Sequence, residues 1–176
     1  MTKLTLAAVL LAAPLAARAD LGLRLGAEAN IAYHDDFGTH AITDNWPLSG
    51  DVMLSYWIPT QLLSVDLELA EQFFLNKPAA LSSGRIGTVL RPGVRLSPPI
   101  LPIYLRGAIP INVETANNGS RETFDLRLGA GITIPLVLFK IYVEADADFP
   151  LGGGTNAPSA FSQWALQLNG GLDFRF

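Results

Sequence analysis

The sequence predicts an all-β chain that closes into an eight-stranded antiparallel up-and-down β-barrel. Three observations carry that expectation. Apolar and polar residues alternate with period two from residue 21 to the end, the spacing of a strand and of no helix. The alternating segments number eight, an even count that suits a closed sheet. The connections between them are by turns short and long. Composition bounds the class further. Of 176 residues, 49% are hydrophobic and only 16% charged, with 16 Gly and no Cys. A soluble domain carries roughly 25% charged residues, so solvent-facing charge is scarce here. High apolar content with a net charge of -4 excludes disorder. The lack of Cys excludes a disulfide framework and a thiolate metal site. With 12 Lys+Arg against 16 Asp+Glu the chain has no nucleic-acid footprint.

The first element is a targeting segment. Met1-Thr2-Lys3 gives a positive start, Leu4 to Ala17 is an apolar run, and Ala17-Arg18-Ala19 places small residues before Asp20. That is the order of a cleavable secretory signal. The run is shorter than the about 20 residues a spanning helix needs. Residues 1–19 are therefore read as a signal peptide and residues 20–176 as the barrel domain. Loss of Lys3 and Arg18 takes the formal charge from -4 to -6.

The strands follow in order. In the first, Leu21, Leu23, Leu25, Ala27, Ala29, Ile31 and Tyr33 occupy every odd position. The second, Leu48 to Ile58, opposes Val52, Leu54 and Tyr56 to Asp51, Ser55 and Trp57. The third, Leu63 to Leu69, opposes its leucines to Ser64, Asp66 and Glu68. The fourth sets Ile86, Leu90, Val94 and Leu96 against Arg85, Arg91, Gly93 and Arg95. The fifth, Leu101 to Ile111, carries Tyr104 and Arg106 on its polar face, and the sixth, Phe124 to Ile134, carries Asp125, Arg127, Gly129 and Gly131. In the seventh, Val137 to Ala145 opposes Lys140, Tyr142, Glu144, Asp146 and Asp148. The eighth runs from Trp164 to Phe176. Connections near Pro59, Pro98 and Pro135 are short, whereas His34–Pro47, Leu75–Gly84, Glu114–Arg121 and Pro150–Ser162 are longer. Short turns at one end and long loops at the other are how membrane barrels are strung.

Alternation alone does not say which face is outside. A soluble lipocalin-like ligand-binding barrel is the alternative, with its apolar residues inside. Three features favour a transmembrane barrel with its apolar face outward. After residue 19 the chain has only two Lys, Lys77 and Lys140, whereas soluble surfaces are dressed with charge. Gly22, Gly26, Gly87, Gly93, Gly129, Gly131 and Gly171 sit among large charged residues on the polar face, as small and large alternate in a narrow interior. Tyr33, Trp46, Tyr56, Phe73, Phe124, Phe139, Phe149, Trp164, Phe174 and Phe176 cluster near strand ends, as in the aromatic girdles of membrane barrels.

The polar face is nearly neutral. Nine acids (Glu28, Asp51, Asp66, Glu68, Asp125, Glu144, Asp146, Asp148, Asp173) face eight bases (Arg24, Arg85, Arg91, Arg95, Arg106, Arg127, Lys140, Arg175). A buried unpaired charge costs several kcal/mol, so an interior ion-pair network is expected. Its members are Arg24, Glu28, Asp66, Glu68, Arg91, Arg106, Arg127, Glu144, Asp146 and Asp173. Strand register pairs Arg127 with Glu144, Asp66 or Glu68 with Arg91, and Arg24 with Asp173.

The last residues, Asn169-Gly170-Gly171-Leu172-Asp173-Phe174-Arg175-Phe176, resemble the terminal signal of bacterial outer-membrane barrels. Asn169, Gly171, Phe174 and Phe176 match that signal position by position. The chain after residue 19 is similar to the small OmpA/OmpX-type family. The resemblance implies residence in the outer membrane among lipid and lipopolysaccharide, with the barrel-assembly machinery as a partner. Members of that family do different things, so the likeness is architectural.

Little chemistry is legible. The deacylase kind of small barrel carries a His-x-Ser-Asn motif, which this sequence lacks. His34 and His40 lie in the first long loop with Asp35, Asp36 and Asp44, and Ser82 and Ser83 lie in the second; these read as solvated loop residues. Asn118-Gly119-Ser120 fits a glycosylation sequon without consequence in a bacterial loop. No enzymatic activity, metal or cofactor is expected. Eight strands leave a lumen just wide enough for side chains, so a narrow or gated pore is the alternative to a plugged interior. A lipid A-modifying enzyme is the further alternative. Outside the expected strands the acids Asp35, Asp36, Asp44, Glu71, Glu114 and Glu122 outnumber Lys77 and Arg121. That acidic rim requires divalent bridging to approach phosphorylated lipopolysaccharide. A monomeric structural or surface-interaction role is the expectation.

Overall fold

Strand β1 (Leu21–Asp35) pairs with β3 (Pro47–Trp57) on one side and with β10 (Trp164–Arg175) on the other, both antiparallel, and this closes the sheet. The computed structural model describes residues 20–42, 46–58, 62–81, 83–98, 100–115, 123–153 and 161–176. The expected signal peptide, Asp44, Ser82, the sequon, Arg121 and Glu122 lie outside the described residues. Between the closing strands run β2 (Gly38–Ala41), β4 (Leu63–Phe74), β5 (Arg85–Leu96), β6 (Ile103–Ala108), β7 (Ile111–Thr115), β8 (Thr123–Pro135) and β9 (Lys140–Gly153). All neighbours pair antiparallel. Eight staves result, because β6 and β7 are two halves of one stave between β5 and β8, and β2 is an appendage of β1.

The split stave has a chemical cause. Pro92 accepts a hydrogen bond from Ile109 N at 2.9 Å, so its polar groups face that stave, yet proline has no N–H to return. Pro110 likewise accepts from Asp125 N at 3.4 Å and cannot donate towards β8. Two missing donors meet around Ile109-Pro110, and the ladder lapses there while the register continues on either side. The expected fifth strand, Leu101 to Ile111, is corrected accordingly.

Two further expectations change. The first long loop contains a hairpin extension, in which β1 runs on to Asp35 and turns at Asp36-Phe37 into β2. Gly38 sits at φ 123°, a conformation that L side chains rarely adopt, and Phe37 N donates to Asp35 Oδ1 at 2.9 Å. Glu71 is within β4 rather than in a loop. It pairs with Arg85 at the long-loop rim, both side chains partly exposed, so Arg85 does not belong to the interior.

Burial settles which face is outside. Val52, Leu54, Val65, Leu67, Leu69, Leu105, Leu128 and Ile132 are about half exposed on the outer wall, while Arg24, Arg91, Arg95, Arg106 and Arg127 are buried inside. This is the inverse of a soluble ligand-binding barrel. Aromatics mark two rims. Tyr33, Trp46, Phe73 and Phe124 lie at strand ends nearest the long loops, and Tyr56 and Phe176 nearest the short turns. Phe139 meets Phe174 at the short-turn rim, with ring centroids 5.8 Å apart.

Candidate functional site

The buried charges occupy the lumen in tiers, each held by the period-two rule that points alternate side chains inward. Nearest the short turns, Asp173 of β10 receives Arg24 Nε of β1 at 2.9 Å and the Arg95 guanidinium of β5 at 3.3 Å. Arg95 also lies 3.5 Å from Asp66 and donates to Ser55 Oγ at 2.9 Å, and Ser64 donates to Asp66 at 2.8 Å. The Arg24 guanidinium lies over the rings of Tyr142 and Tyr104, 4.2 and 4.5 Å from their centroids. These contacts add cation–π attraction to its ion pairs in a desolvated setting.

In the middle tier Arg106 lies 2.6 Å from Glu68 and 3.4 Å from Glu144, which Arg24 also reaches at 3.2 Å. Arg91 bridges Glu68 and Glu28, the latter at 2.9 Å. Arg127 then joins Glu28 from across the lumen. Towards the long loops, Arg127 forms a two-pronged pair with Asp148, both bonds 2.7 Å, and donates to Gln167 Oε1 at 2.5 Å. Fork-to-fork pairs of this kind fix geometry as well as charge.

The expected Arg24–Asp173 and Glu68–Arg91 pairs are present. The expected Arg127–Glu144 pair is not. Across the β8–β9 ladder Arg127 stands opposite Asp148, and Glu144 stands opposite Gly131. The four-residue offset sends Glu144 to Arg24 and Arg106. Asp146 approaches Arg127 only at 4.0 Å, and Asp51 receives Tyr142 OH at 3.5 Å. Sequence reasoning left Tyr104, Tyr142, Ser55, Ser64, Gln167, Arg95 and Asp148 outside the network. Their signal was parity, since all lie on the polar face of their strands.

The matched C-terminal residues have packing roles of their own. Asn169 Oδ1 accepts from Tyr142 OH at 3.2 Å inside the barrel. At Gly171 a Cβ would fall 2.0 Å from the Leu25 carbonyl oxygen, so only glycine lets β10 approach β1 there. Phe174 packs on Phe139, and Phe176 N donates to Leu21 O at 2.9 Å, completing the seam.

Among the described residues at the long-loop end, His34 and His40 are engaged with partners other than serine. His34 stacks on Trp164 with centroids 5.6 Å apart and hydrogen-bonds Thr39 Oγ1 at 2.9 Å. His40 stacks on Tyr33 and lies 3.3 Å from Asp35. Ser83 Oγ accepts from Arg85 N at 3.1 Å. Among the described residues no group of three metal-ligating side chains comes together.

No protein-family model matches the sequence, and no curated protein matches it. The fold does match a solved structure. The chain is similar to the crystal structure of Neisserial surface protein A (NspA), with a TM-score of 0.61 over 89% of this chain and 97% of that one, at 11% identity. The likeness is one of architecture, an all-β transmembrane barrel of eight antiparallel staves.

Proposed function

We propose that this chain is an integral outer-membrane protein, exported through a cleavable signal peptide at residues 1–19, whose charged interior plugs the barrel. Its role is structural or surface-interacting, without enzymatic activity. The observation that carries this reading is the inverted burial of a closed sheet, with leucines outside and five arginines inside. Lipid is the solvent that such a surface fits. The fold likeness to a protein named for the surface supports the same placement. Outer-membrane lipid and lipopolysaccharide surround the barrel in this reading, and the barrel-assembly machinery inserts it as a monomer. Asn169, Gly171, Phe174 and Phe176 serve as the assembly signal.

Two outcomes test it. In mild detergent the outer-membrane fraction is expected to show a heat-dependent shift between unboiled and boiled samples, and flat conductance in planar bilayers. A soluble periplasmic protein without the shift overturns the membrane reading, and steady open-channel steps overturn the plug. Removal of Phe176 is expected to lower the amount assembled in the membrane while refolding of the purified chain in detergent persists. Unchanged membrane levels would remove the residue from the assembly signal.

A further inference from the structure

At the end of the barrel that holds the short turns and the chain's C-terminus, the lumen opens into a cavity of about 230 Å³. Its charged walls are Arg24, Arg95, Lys140 and Arg175 against a single carboxylate, Asp173. Asp173 is already shared by Arg24 and Arg95, so its charge is spent on the floor. The ammonium of Lys140, half-buried on the wall, has no hydrogen-bond or ion-pair partner among the described residues. Among the described residues, Arg175 has one ion-pair partner, the partly exposed Asp20, at 3.4 Å. Its guanidinium lies over Trp57, 4.6 Å from the ring centroid, and Arg95 lies over the same ring at 4.9 Å. The indole thus lies against two of the cations that line the cavity.

We propose that this mouth is a binding site for a phosphate-like oxyanion. Four cationic groups converge on one small space whose own carboxylate is engaged, and the outer pair, Lys140 and Arg175, has donors to give. A tetrahedral oxyanion accepts from several donors at once, which a chloride ion does not match in geometry. The oxyanion has two sources: a free phosphate, or the phosphodiester of a lipid headgroup. Leu101 lines the mouth, and Val137 and Leu138 stand exposed on the turn before Lys140, an apolar lip that suits the second source. This inference goes beyond the role proposed above and concerns a different part of the barrel from the long loops.

The test uses the refolded barrel in a zwitterionic detergent, with Trp57 as reporter after Trp46→Phe and Trp164→Phe. Inorganic phosphate, titrated against chloride at matched ionic strength, is expected to change Trp57 emission saturably. Lys140→Gln is expected to weaken that response about tenfold, the loss one charge-assisted hydrogen bond supplies. A linear response, or one equal in the parent and Lys140→Gln, overturns the site. The same comparison on the unsubstituted tryptophans by phosphorus NMR linewidth decides the matter if the reporter chain does not refold. Dihexanoylphosphatidylglycerol forms the second arm. Saturation at lower concentration than phosphate identifies the headgroup as ligand, and equal or weaker binding identifies the free anion. The heat-shift gel on each sample separates failure of the site from failure of the barrel itself.

Discussion

Replacing Leu128 with Arg is expected to lower the unfolding free energy of the barrel in lipid vesicles by about 2–4 kcal/mol. Leu128 is about half exposed on the outer wall, near the middle of β8. An arginine there must sit in hydrocarbon or climb along neighbouring side chains towards a headgroup, and both routes cost free energy. Leu105, paired opposite Ala130, lies nearer the short turns. Leu105→Arg is therefore expected to cost less than Leu128→Arg, because the penalty declines with distance from the midplane. Denaturant titrations of both variants in the same vesicles measure the difference. If both are neutral, the outer wall does not face lipid.

The second large effect lies inside. Arg127 is fully buried and joins Glu28, Asp148 and Gln167. Arg127→Met is expected to cost about 3–5 kcal/mol, because it leaves Asp148 without its cation and Glu28 with Arg91 alone. Most of that loss is the penalty on the survivors rather than the worth of the pairs. Arg127→Met combined with Asp148→Asn should therefore recover part of it, and denaturant unfolding of the single and double variants measures the recovery. If the double variant is no more stable than the single one, the penalty on an unpaired Asp148 does not account for the loss.

Much of this fold was legible because one rule governs it. Parity along β1, β3, β8 and β10 assigned almost every side chain to its wall. Parity does not report what lies across the lumen. Glu28 of β1 bonds Arg91 of β5 and Arg127 of β8, and neither strand adjoins β1. Such reach follows from a lumen narrow enough for two long side chains to span, which no reading of adjacent strands contains. Stagger was equally hidden, and it displaced Glu144 from Arg127. Met53 and Trp57 are buried on the polar face, where an apolar residue contradicts the pattern and its reason appears only with its neighbours. For Trp57 that reason is two guanidinium groups.

The seam between the first and last strands also constrains how the barrel forms. Arg24 and Asp173 are 149 positions apart, and the β1–β10 ladder joins residues at similar separation along its length. Contacts this distant in sequence are entropically slow to form, so closure is late and the chain gains little from partial structure. A nascent sheet that curled shut before β10 arrived would enclose Arg24 with Glu144 but without Asp173, and Arg95 with Asp66 alone, and the poorer pairing of these buried cations disfavours the mistake. Strand β10 thus supplies both the closing hydrogen-bonded edge and a shared counter-charge for Arg24 and Arg95, which makes its arrival a condition for stable closure.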